Sequence, residues 1–213
     1  MTTEDKIKIF QETFKGRNDA YGAGEGLCVK ERVTDEIIKA HLTGKKRIGQ
    51  YPLSPDIMDG AGTYWLCLDI DEHDVTIALE ALGAIEGLGF SAYLEISKSK
   101  GWHIWTFFSE RVKASDARGL GQYVAEVVWK TFEDAKLEIF PKQNSLKNTP
   151  YGNYVNLPLF GQDVKDGRTV FVNPENGFKP FENQWELLSN IVKVTPEELE
   201  DIIESEGLET PEE

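Results

Sequence analysis

The 213-residue sequence predicts an α+β fold: an antiparallel sheet built on a split βαβ pattern, with helices on one face and a small N-terminal α/β lobe beside it. Three observations carry this. From residue 63 onward, strand-like alternation and helical spacing succeed one another in the order β-α-β-β-α-β. The two helical stretches, 73–88 and 114–133, are long and each shows one apolar face. The two middle strands are separated only by KSKG, short enough for a hairpin.

Residues 3–15 read as an amphipathic helix with Ile7, Ile9, Phe10 and Phe14 toward the core, and GRNDAYGAGEG (16–26) is a loop. TDEIIKAHL (34–42) is a short helix, with Thr34 as N-cap, acids in its first turn and Gly44 past its end. KRIGQYPL (46–53) is a strand that Pro52 ends, and PDIMDGAG (55–62) is a turn. The strand 63–71 is followed by the helix 73–88, in which Val75, Leu79, Leu82 and Ile85 share a face and Gly87 and Gly89 stop it. FSAYLEIS (90–97) and WHIWTFF (102–108) form the hairpin around KSKG (98–101). In the helix 114–133, Ala117, Leu120, Val124, Val127 and Val128 face inward. KLEIF (136–140) is a short strand, 141–153 a loop, 154–159 and 168–172 strands, and 183–191 and 196–204 helices. This order is that of ferredoxin-like and RRM-like sheets, whose second face is open to a ligand. The expected organisation is a lobe at 1–62, a main module at 63–194 and an acidic C-terminal helix or tail at 195–213, which either frays or begins a linker.

Composition narrows the function classes. No apolar run approaches the ~18–20 residues that span a bilayer. The N-terminus MTTEDKIKIFQETF lacks the apolar core of a signal peptide, so a cytoplasmic protein with no membrane partner is expected. The two cysteines, Cys28 and Cys67, make neither a disulfide framework nor a Cys-rich zinc site. The net charge of −14 speaks against nucleic acid, but nine acids lie in residues 195–213, leaving −5 for residues 1–194.

YWLCLDIDEHD (64–74) runs from apolar strand into acid. Asp69 and Asp71 share one face while Leu68 and Ile70 take the other. Two like charges on one face call for a cation, and oxygen-only ligands favour Mg²⁺ or Mn²⁺. A second reading is that Asp71, Glu72 and Asp74 decorate the N-terminus of the next helix. EISKSKGWHIW (95–105) places Ser97, Lys98, Ser99, Lys100 and Gly101 in a turn with His103 just beyond, a set of donors suited to phosphate or to an ordinary polar hairpin. Glu138 in LEIFPKQN is a third acid on a strand that can neighbour the first, with Lys142 following; the alternative is an exposed edge-strand acid. Asn156 in GNYVNLPL is either a hydrogen-bonder of the site or a structural amide.

In this order, LDID, SKSKGWH, an acid before FP, and NYVNLPL resemble the archaeo-eukaryotic primase superfamily, over about residues 34–190. The wider frame is similar to the primase-polymerase branch found in CRISPR-associated and conflict-system proteins. Asp69 and Asp71 match the first motif, His103 the second, with Gly101 where a small serine is often seen, and Glu138 the third. The cysteine-rich insertion of many relatives has no counterpart here. The resemblance implies template-directed DNA synthesis by a DNA primase/polymerase, with de novo primer initiation left open beside extension. Its catalytic and metal-holding residues would be Asp69, Asp71 and Glu138, with two Mg²⁺ or Mn²⁺ ions. Ser97, Lys98, Ser99, Lys100, His103, Lys142 and Asn156 would contact the dNTP or NTP. Partners implied are single-stranded DNA template and primer, nucleoside triphosphates, and further domains or CRISPR and helicase proteins. Lys45, Lys46 and Arg47 are expected near template or triphosphate unless they form a solvated face, and Tyr51 is a candidate for sugar discrimination.

Two rivals fit less well. A non-catalytic RRM-like module for single-stranded nucleic acid would stack bases on aromatics of one sheet face, but Trp102 and Trp105 lie on opposite faces. A replication-initiator nuclease needs a histidine pair and a nucleophilic tyrosine, and His41, His73 and His103 contain no such pair.

Overall fold

The computed structural model describes residues 1–55, 61–99 and 101–211. In chain order they form α1 (Thr3–Thr13), β1 (Tyr21–Gly22), β2 (Cys28–Val29), α2 (Asp35–Leu42), β3 (Gly49–Gln50), β4 (Ser54–Pro55) and β5 (Ala61–Ile70). Then follow α3 (Val75–Gly87), β6 (Tyr93–Ile96), β7 (Trp102–Lys113), α4 (Ala114–Thr131), β8 (Leu137–Phe140) and β9 (Val155–Asn156). The chain continues with α5 (Gly161–Val164), β10 (Val170–Asn173), β11 (Lys179–Pro180), α6 (Gln184–Ser189) and α7 (Pro196–Glu206). The expected α+β class is found.

The larger sheet runs β11-β10-β6-β7-β5-β4, and β8 pairs with the end of β5 beyond β4. Neighbouring strands in it are antiparallel. Leu66, Leu68 and Ile70 of β5 are fully buried on the face covered by α3 and α4. That packing is close because α4 has no side chain at Gly121, where a Cβ would run into Ile139 and Leu66. The helices begin where the sequence offers caps. Thr34 accepts from the Ile37 N–H, Asp74 from the Thr76 N–H, and Thr195 forms a capping box with Glu198.

The second face is only half open, in contrast to the expectation of helices on one face. Its lower part is covered by α1, whose Phe14 meets Trp105, Phe107 and Phe171 at 5.2, 5.7 and 6.5 Å between ring centres. The Trp65 indole N–H donates to the Lys15 carbonyl at 2.7 Å, locking the end of α1 to the sheet. Truncating an aromatic so buried costs about 3–5 kcal/mol, so α1 is a firm cover. The remaining open part of this face lies at the C-terminal end of β5.

The smaller sheet, β2-β1-β3-β9, takes its last strand from residues 155–156. The long strand expected at 46–53 is thus only the pair Gly49–Gln50, and β9 crosses back to join it. The acidic C-terminal helix is docked. Leu199 is buried, the segment before α7 bridges β7 at Phe108 and Val194, and the Pro211 carbonyl accepts from Asn144 at 2.9 Å. No helix among the described residues is long and apolar enough to cross a membrane.

Candidate active site

Strand register builds the site. Glu138 on β8, Asp69 on β5, His103 on β7 and Glu95 on β6 stand directly opposite one another, so four titratable side chains form a row across four adjacent strands. The next row down, Phe140, Cys67, Trp105 and Tyr93, is apolar. The polar row is therefore the floor of the open end of the face, and its lower side is sealed.

His103 is buried between two carboxylates. Its Nδ1–H donates to Glu95 Oε2 at 3.0 Å, and Nε2 lies 3.4 Å from Asp69 Oδ1. Burial alone would push the imidazole's pKa down. The Glu95 charge, the hydrogen bonds to Asp69 and Glu95, and the Asp69 charge outweigh it and raise the value to about 10. The ring is an imidazolium at neutral pH and donates from both nitrogens.

Asp71 lies one residue past β5, exposed, with its N–H on the Lys136 carbonyl at 3.3 Å. Burial and then the charges of Asp69 and Glu138 raise its pKa, against His103 and Lys136. The three carboxylates thus feel one another. Of the two readings of this stretch, Asp74 alone caps α3, while Asp71 stays with the sheet. Glu138 is held by Lys142, Nζ to Oε1 2.7 Å. Among the described residues no three His, Cys, Asp or Glu side chains are drawn together as a metal cage. The donor chemistry nevertheless fits a hard divalent cation: all three are carboxylates, and Asp71, its pKa raised by burial and then by the charges of Asp69 and Glu138, would gain from a cation beside it.

The hairpin turn reaches this row from the side. The Ser97 N–H donates to the Gly101 carbonyl at 2.9 Å, and the Ser97 hydroxyl, nearly buried, is 3.4 Å from that of Ser99. Lys98 and Ser99 are exposed at the tip, and Lys100 lies outside the described residues. Register brings Glu138 beside Asp69, and Lys142 pairs with Glu138. Register does not bring Asn156, which pairs with Gly49 in the smaller sheet; the buried Asn156 Oδ1 has no hydrogen-bond partner among the described residues. Arg47 pairs with Asp163 and stacks on Phe160, Lys46 bonds the Tyr21 hydroxyl, and only Lys45 is fully exposed. Tyr51 is buried beside Tyr151 and Tyr154.

Two participants carry no motif signal. Glu95 is an acid on an apolar strand, and only the hairpin register, Ile96 opposite Trp102, reveals that it faces His103. Arg168 donates to the Lys98 carbonyl at 3.0 Å and pairs with Asp163 at 3.2 Å, bracing the turn from a distant loop. Beside it Thr169, at φ 53°, donates its N–H to the Ile96 carbonyl at 2.7 Å. A β-branched residue in that region is strained, and such strain gathers where surrounding structure fixes a site.

A solved structure described as the polymerase domain from Mycobacterium tuberculosis ligase D in complex with DNA is similar, at 15% identity and a TM-score of 0.49, over 96% of this chain and 88% of that one. No curated protein matches the sequence. A family model described as the archaeo-eukaryotic primase domain of the TOTE conflict system matches residues 29–202. The chain belongs to the archaeo-eukaryotic primase domain family of TOTE conflict systems.

Proposed function

We propose that this domain is a template-dependent nucleotidyl transferase, a DNA primase/polymerase that adds nucleotides to a 3′-hydroxyl. The observation that carries the reading is the row Glu138, Asp69, His103 and Glu95, with Asp71 at its edge and the 97–101 turn beside it. The order β8-β5-β7-β6 with its two helices is read as the RRM-like, split βαβ core. Residues 63–194 are taken as the catalytic module, 1–62 as a lobe packed on it and 195–213 as its closing helix.

Asp69, Asp71 and Glu138 are the residues that would hold two Mg²⁺ or Mn²⁺ ions, which would supply activation of the 3′-hydroxyl and charge neutralisation at the leaving pyrophosphate. Around them the chain's own groups bind and orient. His103 offers an N–H toward an incoming phosphate from a ring already charged. The Ser97 and Ser99 hydroxyls, Lys98 and backbone N–H groups of the turn would bind the same anion, and Lys100, outside the described residues, is assigned to it from the sequence alone. Lys142 neutralises Glu138 in this structure and becomes available to the triphosphate when a cation takes that role. Asn156, in the other sheet and apart from the carboxylate row, is kept as a proposed nucleotide contact. The aromatics of the sheet face lie under α1, which disfavours a base-stacking module. Single-stranded template, primer and nucleoside triphosphates are the proposed partners.

The test is primer extension on a single-stranded template with Mg²⁺ or Mn²⁺, dNTPs against NTPs, for the wild type beside Asp69→Ala/Asp71→Ala. Extension by the wild type alone supports the reading. No extension by the wild type, with no nucleotide or template binding, defeats it.

A further inference from the structure

Glu95 is hard to account for as a stabilising residue. It is 1% exposed, flanked on its two sides by Phe171 of β10 and His103 of β7. One oxygen, Oε2, takes both hydrogen bonds, from His103 Nδ1–H at 3.0 Å and from the Trp105 indole N–H at 2.7 Å. The other, Oε1, is buried with no partner among the described residues. Desolvating a carboxylate is costly, and apolar replacements of buried ion pairs are often as stable or more so. The aromatic surroundings, Trp105 and Phe171, would accept an apolar side chain.

We infer that Glu95 is a positioning residue that fixes the His103 ring, directing Nε2 to the open end of the site beside Asp69. This rests on the reading of His103 as a triphosphate contact. An imidazole on a strand can turn over about its second side-chain torsion, which puts Cδ2 in the place of Nδ1 and Cε1 in the place of Nε2. Glu95 removes that freedom by holding Nδ1. Trp105 holds the same Glu95 oxygen and stands edge-on to the imidazole, ring centres 5.9 Å apart, closing that side. The two ends of the ring then differ. The Glu95 contact is short and sealed, while the 3.4 Å approach to Asp69, whose side chain is 25% exposed, is long and reaches solvent. A phosphate oxygen can displace the second contact without disturbing the first.

The test uses the whole chain and the variants Glu95→Leu, Glu95→Gln and Trp105→Phe, with two readouts. The first is the NMR signal of the His103 Nδ1–H in protein carrying ¹⁵N-labelled histidine, without nucleotide or metal. The second is titration with Mg²⁺–dATP, backed by the split between KM and kcat in extension. The wild type is expected to show a slowly exchanging Nδ1–H. Glu95→Leu should lose it and bind Mg²⁺–dATP about ten- to a hundredfold more weakly, the range of removing a residue that orients a ligand. Its KM should rise, and its melting temperature should fall, since removing one partner of a buried pair leaves the His103 ring and the Trp105 N–H without that acceptor. Glu95→Gln, which keeps an acceptor, should recover part of the affinity, and Trp105→Phe should loosen the Nδ1–H signal. Wild-type affinity and an unchanged Nδ1–H in Glu95→Leu overturn the inference. Should that variant not fold, the absence of a slowly exchanging His103 Nδ1–H in the wild type overturns it. If the wild type itself neither binds nor extends, the primase reading fails, and the Nδ1–H signal still decides whether Glu95 holds the ring.

Discussion

The Ile70 carbonyl oxygen occupies the place that a Cβ on Gly101 would take. Gly101 closes the 97–101 turn, and Ile70 is the last residue of β5, between Asp69 and Asp71. The missing side chain lets the 97–101 turn lie directly against the carboxylate strand. The serine common at this place in the family pattern would not fit here without a shift of backbone. Gly101→Ala is therefore expected to push the turn away. The cost should be about 1–3 kcal/mol, typical of overpacking, together with weaker Mg²⁺–dATP binding. A melt and a nucleotide titration check this; a variant that matches the wild type in both would show that the turn yields freely.

Asp71 works against the fold that carries it. Its pKa is raised by burial and by the charges of Asp69 and Glu138. A raised carboxyl contributes stability below its unfolded value, 3.8, and loses it as pH rises through the folded value. At neutral pH the charge is thus a net cost, kept small by solvent screening at this exposed position. Asp71→Asn should raise the metal-free melting temperature by about 1–2 °C, from roughly 0.5 kcal/mol. It should also reduce extension by about a hundred- to a thousandfold. Added Mn²⁺ should raise the melting temperature of the wild type and not that of the variant. A variant less stable than wild type without metal would contradict the repulsion.

Local chemistry made much of this legible. The cap at Thr34, the alternation in LCLDID and the spacing of Val124 and Val128 gave elements of the right type in the right order. What alternation could not convey was pairing across the chain. The extent of β9 and its union with β3 depend on tertiary hydrogen bonds, and neither strand exceeds two residues. The cover over Trp105 was hidden for the same reason: Phe10 and Phe14 announce an apolar face on α1, not the surface it meets. Asp69, Asp71 and His103 stood out because polar groups at the end of an apolar strand need explaining. Glu95 did not, because one acid on a short strand looks solvent-facing until the hairpin register is drawn.

Lys142 and Glu138 form an ion pair at 2.7 Å with side chains 30% and 51% exposed. Such a pair is worth little to the fold, about 0.2–1 kcal/mol. Lys142→Met should accordingly leave the melting temperature within about 2 °C of wild type. Freed of its cation, Glu138 should bind Mn²⁺ more readily, while the loss of a positive charge raises the KM for dNTP. Separate titrations with Mn²⁺ and with dATP distinguish the two effects. Weaker Mn²⁺ binding in the variant would mean that Lys142 does not compete for Glu138.

His41 should make the domain acid-sensitive. Its ring is fully buried between Phe10 and Phe160. Nε2–H donates to the Pro158 carbonyl at 2.8 Å, and Nδ1 accepts the Ile48 N–H at 3.1 Å. That assignment ties α2 to the residues that flank β3 and β9, Ile48 and Pro158, and requires the neutral ring. Burial pushes the pKa from 6.5 down to about 4, with the Arg47 charge adding to it and the Pro158 bond and Asp163 opposing. Because the folded value is depressed, the unfolded chain takes the proton first. Stability is complete above pH 6.5 and falls as pH drops toward 4, by about 3 kcal/mol from this residue. His41→Gln keeps an acceptor and a donor but does not titrate. It should be less stable than wild type at pH 7.5, by about 1–2 kcal/mol for imperfect hydrogen bonds, and should lose less on acidification. Urea midpoints at pH 7.5 and 4.5 for both proteins isolate the term, since the carboxylates they share cancel in the difference. Equal losses would mean that the imidazole is already protonated in the fold, and that the Ile48 N–H has another acceptor.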